Sequence, residues 1–218
     1  RAASEVITYT WDTAGLGSYK IGRLMRVVDG SGTTQFQYDH RGNLLVKRQA
    51  VGSTAAANLT YAYDLADRVT QITYPSGRQA LYTRDTKGRI TQVRTRATSA
   101  ATLVTLMSGM QYEPFGSLKQ GIYGNTLSFT ANWGNDARLA SRRVYKTSGG
   151  ANTSMLSYAY DNADNMTGIT DAVTPSASTT YAYDPVERLT RIDGTLAGGH
   201  GREDHLHDRN GNRLAVER

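Results

Sequence analysis

Short runs of alternating apolar and polar residues make up most of the chain, and brief polar segments interrupt them at regular intervals. In Tyr61-Ala-Tyr63 the two tyrosines share one face of an extended strand, because alternate side chains of a strand point to the same side. A polar segment, 64–67, follows, and then the apolar residues Val69 and Ile72. This pattern predicts two antiparallel strands joined by a tight turn.

The same twelve-residue pattern occurs three times, as YAYDLADRVTQI from Tyr61, YAYDNADNMTGI from Tyr158 and YAYDPVERLTRI from Tyr181. The mean spacing from Tyr38 to His207 is about 24 residues, which lies in the range of repeat arrays. Each copy predicts one β-hairpin, so we expect about nine hairpins. The less regular copies begin at Trp11, Tyr38, Arg84, Tyr112, Trp133 and His207.

The polar segments have the chemistry of a type I turn followed by a left-handed residue. Asp is favoured at the first turn position and Gly at the fourth, and this combination closes short hairpin loops with a bulge. Asp67, Asp164 and Glu187 replace Gly in three copies, and Glu is the least comfortable of these in a left-handed conformation. The predicted structural turn residues are Tyr38, Asp39, Gly42, Tyr63, Asp64, Arg68, Asp85, Gly88, Arg89, Tyr112, Gly116, Tyr160, Asp161, Tyr183, Asp184, Arg188, Asp208 and Gly211.

The spacing after each turn leaves two alternatives open. Val69 and Ile72 are three residues apart, and strict strand alternation would place them on opposite faces. Either a bulge returns both residues to one face, or both faces of the sheet are partly covered.

Composition agrees with half-buried strands more than with a thick core. Apolar residues are 39% of the 218, and 14 Tyr stand against 3 Phe. The absence of cysteine excludes a disulfide scaffold, a cysteine nucleophile and a Cys-ligated metal site. The net charge of +6 comes from Lys and Arg spread mostly singly, so no nucleic-acid partner is expected. No apolar run of 18 residues occurs, so no membrane span is expected, and no signal peptide is visible.

These observations predict an all-β fold, an array of antiparallel β-hairpins that forms a curling, spiral, shell-like repeat sheet. Roughly eighteen strands are too many for an ordinary flat sheet, which curls, splits or closes beyond about ten strands. We treat residues 1–218 as a single repeat segment, and we expect it to be a fragment of a larger shell.

The repeated units resemble the YD repeats of the Rhs (rearrangement hot spot) family. The resemblance runs from Thr8 to about Leu214 and includes WDTAGLGSYKIGRLMRVVDGSGTTQFQYDHRGNLL and ITYPSGRQALYTRDTKGRITQV. It implies a spiralling antiparallel sheet that forms the wall of a hollow shell. Such shells enclose a C-terminal toxin domain in bacterial Rhs toxins and insecticidal toxin complexes, and the related teneurins use one as an adhesion scaffold. Asp184-Pro185 is followed by Val-Glu, which departs from the family's self-cleaving motif, so no protease is expected.

No catalytic residue, cofactor or metal site is predicted. The turn carboxylates are explained by their turn positions, and His207 and Asp208 occupy the repeat's Tyr and Asp positions. A polar loop is therefore preferred to a metal site for 198–212. The paired tyrosines are interpreted as packing groups in preference to a platform for sugar rings. The potential metal ligands in that segment are His200, Asp204, His205, His207 and Asp208.

The sequence thus predicts a non-catalytic wall of an Rhs-type shell in a secreted, cell-surface or injected bacterial protein, with type VI secretion as one route. The expected partners are an enclosed toxin polypeptide or neighbouring repeats of the same chain. Two alternatives remain open at this stage. One is an adhesion or carbohydrate-binding array that binds glycans, and the other is a filament that forms by self-association through exposed strand edges.

Overall fold

The computed structural model describes residues 6–13, 17, 19–196 and 199–217. This part of the chain contains eighteen β-strands, one short 3-10 helix at Pro175–Ala177 and no α-helix. The strands are β1 (Thr8–Trp11), β2 (Leu24–Asp29), β3 (Gly32–Tyr38), β4 (Leu44–Val51), β5 (Ala57–Tyr63), β6 (Val69–Thr73), β7 (Gln79–Arg84), β8 (Ile90–Arg96), β9 (Val104–Tyr112), β10 (Leu118–Tyr123), β11 (Leu127–Trp133), β12 (Leu139–Lys146), β13 (Asn152–Tyr160), β14 (Met166–Asp171), β15 (Thr179–Tyr183), β16 (Leu189–Leu196), β17 (Gly199–His207) and β18 (Arg213–Glu217).

The chain divides into two compact units, Arg1–Ser108 and Gly109–Arg218, and the boundary falls within β9. In the first unit each strand from β1 to β8 pairs antiparallel with the next one along the chain. In the second unit the same is true from β10 to β18. The predicted all-β fold built from successive antiparallel hairpins is therefore confirmed.

A bulge after the turn settles the alternative that the sequence left open. Ala62 pairs with Gln71, whereas Tyr63 pairs with Val69, so β6 carries one extra residue at this point. Because Tyr61 pairs with Ile72, the bulge brings Val69 and Ile72 opposite the two tyrosines on one face. The same register shift occurs at Tyr38, Arg84, Trp133, Tyr160, Tyr183 and His207.

Very little of the described chain is buried in an apolar core. Met25 and Ala131 are the only buried hydrophobic residues there, at 0% and 2% exposure. Large apolar side chains such as Leu65 and Ile21 are 91% exposed. A sheet of this kind depends on backbone pairing and cross-strand contacts, because it has no thick interior to bury.

The prediction of a polar loop for 198–212 is wrong for 199–207, which form β17. The strand persists because β17 pairs with β16 on one side and β18 on the other, so tertiary pairing overrides the polar composition. Among the described residues no group of three or more His, Asp or Glu is placed to hold a metal ion, and the His200 side chain lies outside the description. None of the helical structure described has the length and apolarity of a membrane-spanning helix.

Candidate functional site

The candidate site is a row of hairpin turns, hereafter the turn row, that follows the Tyr-Asp positions along one side of each unit. In a meander of consecutive hairpins, every second turn lies at the same strand ends. The turn row comprises 39–43, 64–68 and 85–89 in the first unit, and 113–117, 134–138, 161–165, 184–188 and 208–212 in the second.

Every member of the turn row closes with the same two backbone hydrogen bonds. In 64–68 the Asp67 N–H donates to the Asp64 carbonyl at 3.1 Å, and the Asp64 N–H donates to the Arg68 carbonyl at 3.0 Å. The first bond is the i to i+3 bond of a β-turn, and the second closes the hairpin around it. The other members repeat both bonds within 2.8–3.2 Å.

The aspartate at the first turn position accepts hydrogen bonds from the backbone and a side chain of its own turn. Asp64 Oδ1 accepts the N–H groups of Ala66 and Arg68 at 2.9 and 3.1 Å, and Oδ2 accepts the Arg68 Nε–H at 2.8 Å. Both carboxylate oxygens are thus used locally. The aspartates Asp39, Asp85, Asp161, Asp184 and Asp208 make the equivalent bonds, with Asn43, Arg89, Asn165, Arg188 and Asn212 supplying the side-chain donor.

These hydrogen bonds stabilise the ionised carboxylates. Hydrogen bonds from the Arg68 side chain and backbone lower the pKa of Asp64 to about 2. Desolvation raises the pKa of Asp39, Asp85 and Asp161, but the hydrogen bonds outweigh it and the net shift is downward. Backbone bonding to Arg188 leads the lowering of the Asp184 pKa, and the Asn212 side chain leads it for Asp208.

The fourth turn position is left-handed throughout the turn row. Gly42, Gly88, Gly116 and Gly211 have φ angles of 100°, 87°, 98° and 87°. Asp67, Ala137, Asp164 and Glu187 adopt φ angles of 59–68° without the freedom of glycine.

Four of the turns follow a tyrosine whose hydroxyl bonds to the preceding hairpin. The Tyr63 hydroxyl donates to the Leu44 carbonyl at 2.8 Å, so it joins β5 to β4 across two hairpins. Burial raises the pKa of Tyr63, and the same holds for Tyr38 and Tyr183. Tyr112 occupies the equivalent place at the end of β9. The remaining bonds of this type are Tyr38 to Leu24 at 2.9 Å, Tyr160 to Leu139 at 3.1 Å and Tyr183 to Met166 at 2.9 Å.

Two other side chains donate the same kind of hydrogen bond to the preceding hairpin, and this role was not predicted from the sequence. Trp133 Nε1 donates to the Leu118 carbonyl at 3.1 Å, and Arg84 Nη2 donates to the Val69 carbonyl at 3.1 Å. The signal available in the sequence was that Tyr, Trp and Arg all place a hydrogen-bond donor at the end of a long side chain.

Arginines join neighbouring turns directly. Arg23 Nη1 donates to the Asp39 carbonyl at 2.8 Å, and Arg188 Nη1 donates to the Asp208 carbonyl at 2.7 Å. Arg138 bridges to the Asp161 carbonyl and the Asp164 carboxylate at 3.3 and 2.6 Å. Because Arg188 also pairs with Asp184, one guanidinium holds its own turn and the next.

The first repeat copy departs from the pattern. The Asp12 N–H bonds to the Arg23 carbonyl at 3.2 Å, and the Gly22 N–H donates to Asp12 Oδ1 at 2.6 Å. Asp12 therefore closes a wide loop between β1 and β2, where the repeat would place a four-residue turn.

Chemically, the turn row cross-links hairpins. Its aspartates are alike in position and bonding, and the resolved pKa shifts all point downward. A general acid among paired carboxylates has a raised pKa, whereas the pKa values of these aspartates are lowered.

Several solved structures share this fold. A crystal structure of TcdB2-TccC3 matches 96% of the chain with a TM-score of 0.83 and 16% identity. A TcdB2-TccC3-Cdc42 crystal structure matches 97% with a TM-score of 0.78 and 14% identity. A Photorhabdus luminescens Tc holotoxin pore with a mutation in TccC3 matches 90% with a TM-score of 0.79 and 15% identity. The chain spans only 13%, 14% and 11% of those three chains.

Sequence comparison agrees with the structural one. No curated protein shows significant sequence similarity to the chain. The family model described as Teneurin YD-shell matches residues 7–203, which contain every hairpin of the turn row except the last. The resemblance to YD-repeat shells is therefore confirmed. The chain belongs to the Teneurin YD-shell family.

Proposed function

We propose that this segment is a non-catalytic part of the wall of an Rhs-type shell, and that the shell encloses and helps to deliver a C-terminal toxin polypeptide. The observation that carries the proposal is the turn row, in which side chains bond neighbouring hairpins within each unit. A wall must resist the separation of adjacent strands, and these bonds supply that resistance at the strand ends.

The thin sheet fits the same role. With Met25 and Ala131 as the only buried apolar residues described, the strands form a layer that has two accessible faces. A layer of this kind can separate an enclosed polypeptide from solvent while each strand edge within the layer remains paired. The likeness to TcdB2-TccC3 supports the proposal because that structure contains the same fold within a much longer chain.

The partners follow from the role. The face turned to the inside contacts the enclosed toxin polypeptide, and the first and last strands pair with neighbouring repeats of a longer chain. A bacterial protein that delivers such a toxin is secreted, displayed at the cell surface or injected into a target cell.

The test is the intact mass of the native protein, combined with sequencing of peptides beyond Arg218. The proposal predicts a chain well above 23.8 kDa, or a retained polypeptide of unrelated sequence that co-purifies with the segment. A native mass near 23.8 kDa with no additional polypeptide would contradict it and favour an adhesive or self-assembling array.

A further inference from the structure

A row of side chains that carries two arginines and no acidic residue crosses the first unit away from the turn row. Thr10 pairs with Arg26, Arg26 with Gln35, Gln35 with Arg48 and Arg48 with Asn58, so one residue from each of β1 to β5 lies in register. Directly paired residues of antiparallel strands point to the same face. The two guanidinium groups therefore stand on one face with a single strand between them.

A cleft of about 240 Å³ opens at this row. Its lining includes the polar residues Thr33 and Gln35 and the small residues Ala50 and Ala56. Arg26 and Arg48 complete it, and their Cα atoms are roughly 10 Å apart because they are two strand spacings from each other. Arginine side chains are long enough to meet over Gln35 from that distance.

The charges of this cleft are not compensated by the described part of the chain. Neither Arg26 nor Arg48 forms an ion pair with any described residue. The Arg26 Nε–H is buried and has no hydrogen-bond acceptor among the described groups. A guanidinium is always charged, and burial of a charged donor without a partner is costly.

We propose that this cleft binds an oxyanion, a carboxylate or a phosphate group, between the guanidinium groups of Arg26 and Arg48. Both are planar groups whose forked N–H donors match the oxygen spacing of such anions. The Gln35 amide and the Thr33 hydroxyl add neutral donors on the same lining. The anion neutralises the repulsion between the two arginines.

The experiment is a titration of the purified 218-residue chain with inorganic phosphate at low ionic strength, followed by calorimetry. The expected result is saturable binding with a dissociation constant on the order of 1 mM. Arg48→Gln, on an exposed position of β4, is expected to weaken it about tenfold or more. Arg26→Gln has the same expected effect. Arg209→Gln is the matched control, because it removes one exposed arginine from a turn of the other unit and should leave binding unchanged.

Two outcomes would overturn the proposal. One is an absence of saturable binding of phosphate, of acetate and of a glutamate-containing tripeptide alike, and the other is an equal loss in Arg48→Gln and Arg209→Gln, which would show that only net charge matters. If Arg26→Gln fails to fold, Arg48→Gln still decides the matter. Parallel titrations with acetate and with a glutamate-containing tripeptide identify the source of the group, since a carboxylate site responds to both and a phosphate-selective site to neither.

This inference does not depend on the enclosure of a toxin. The titration uses the isolated chain, so its outcome is independent of the mass and peptide measurements that test the proposed function.

Discussion

At the scale of single residues, a tyrosine hydroxyl and an aspartate carboxylate make the hydrogen bonds that recur along the repeat. Tyr63 reaches the preceding hairpin through its hydroxyl, and Asp64 binds its own turn through both carboxylate oxygens. Sequence reasoning predicted the place of the aspartate because its partners lie within four residues. The partner of Tyr63 is Leu44, nineteen residues earlier, and only the register of β4 and β5 brings the two together.

Replacement of Tyr63 by phenylalanine removes this bond and keeps the ring. We expect Tyr63→Phe to lower the free energy of unfolding by about 0.5–1.5 kcal/mol, the ordinary contribution of one hydrogen bond. Chemical denaturation of the parent chain and the variant measures this difference in the free energy of unfolding. Tyr61→Phe is the matched control, on the same face of β5, and should change stability less. Equal losses in both variants would show that the hydroxyl bond to Leu44 is not the stabilising contact.

The depressed pKa of Asp64 predicts a loss of stability in acid. Its pKa is about 2 in the folded chain and about 3.9 when unfolded, so its contribution is complete above about pH 4 and declines as the pH falls towards 2. Urea unfolding between pH 6 and pH 2 should therefore show a smaller acid-induced loss in Asp64→Asn than in the parent chain. Glu217→Gln, an exposed change in β18, should follow the parent. Parallel curves for the parent and Asp64→Asn would refute the assignment.

At the scale of elements, the hairpin is the repeating element, and the residues of its turn indicate the turn's conformation from the sequence alone. Asp39 and Gly42 predict both the turn and its left-handed fourth residue, and the structure shows φ of 100° at Gly42. Two features could not be predicted, because they depend on contacts that reach beyond a four-residue turn. One is β17, a strand of polar composition, and the other is the wide loop that Asp12 closes.

Glu187 offers a test of the turn. It holds φ at 64° in an exposed position, and a non-glycine residue there costs roughly 1 kcal/mol. Glu187→Gly should therefore raise the free energy of unfolding by about that amount. Gly116→Ala is the reciprocal variant, since φ is 98° and a Cβ there would meet no atom within 4 Å, so its expected loss reflects backbone strain alone. A stabilised Gly116→Ala or a destabilised Glu187→Gly in equilibrium unfolding would contradict this reading.

At the scale of the whole molecule, each unit is a succession of paired strands with a thin interior, and the turn row joins its hairpins. The repeat explains why the fold class was predictable from the sequence, since an error in one hairpin does not alter the next. The proposed oxyanion cleft was not predictable, because Arg26, Gln35 and Arg48 become neighbours only through the register of three strands.

The most direct test of the proposed wall is protease protection in the native protein, with the fragments identified by mass spectrometry. The account predicts that peptides from an enclosed polypeptide stay uncut under native conditions and are cut once denaturant unfolds the YD-repeat strands. Cleavage of that polypeptide at the same rate before and after the strands unfold would contradict the account.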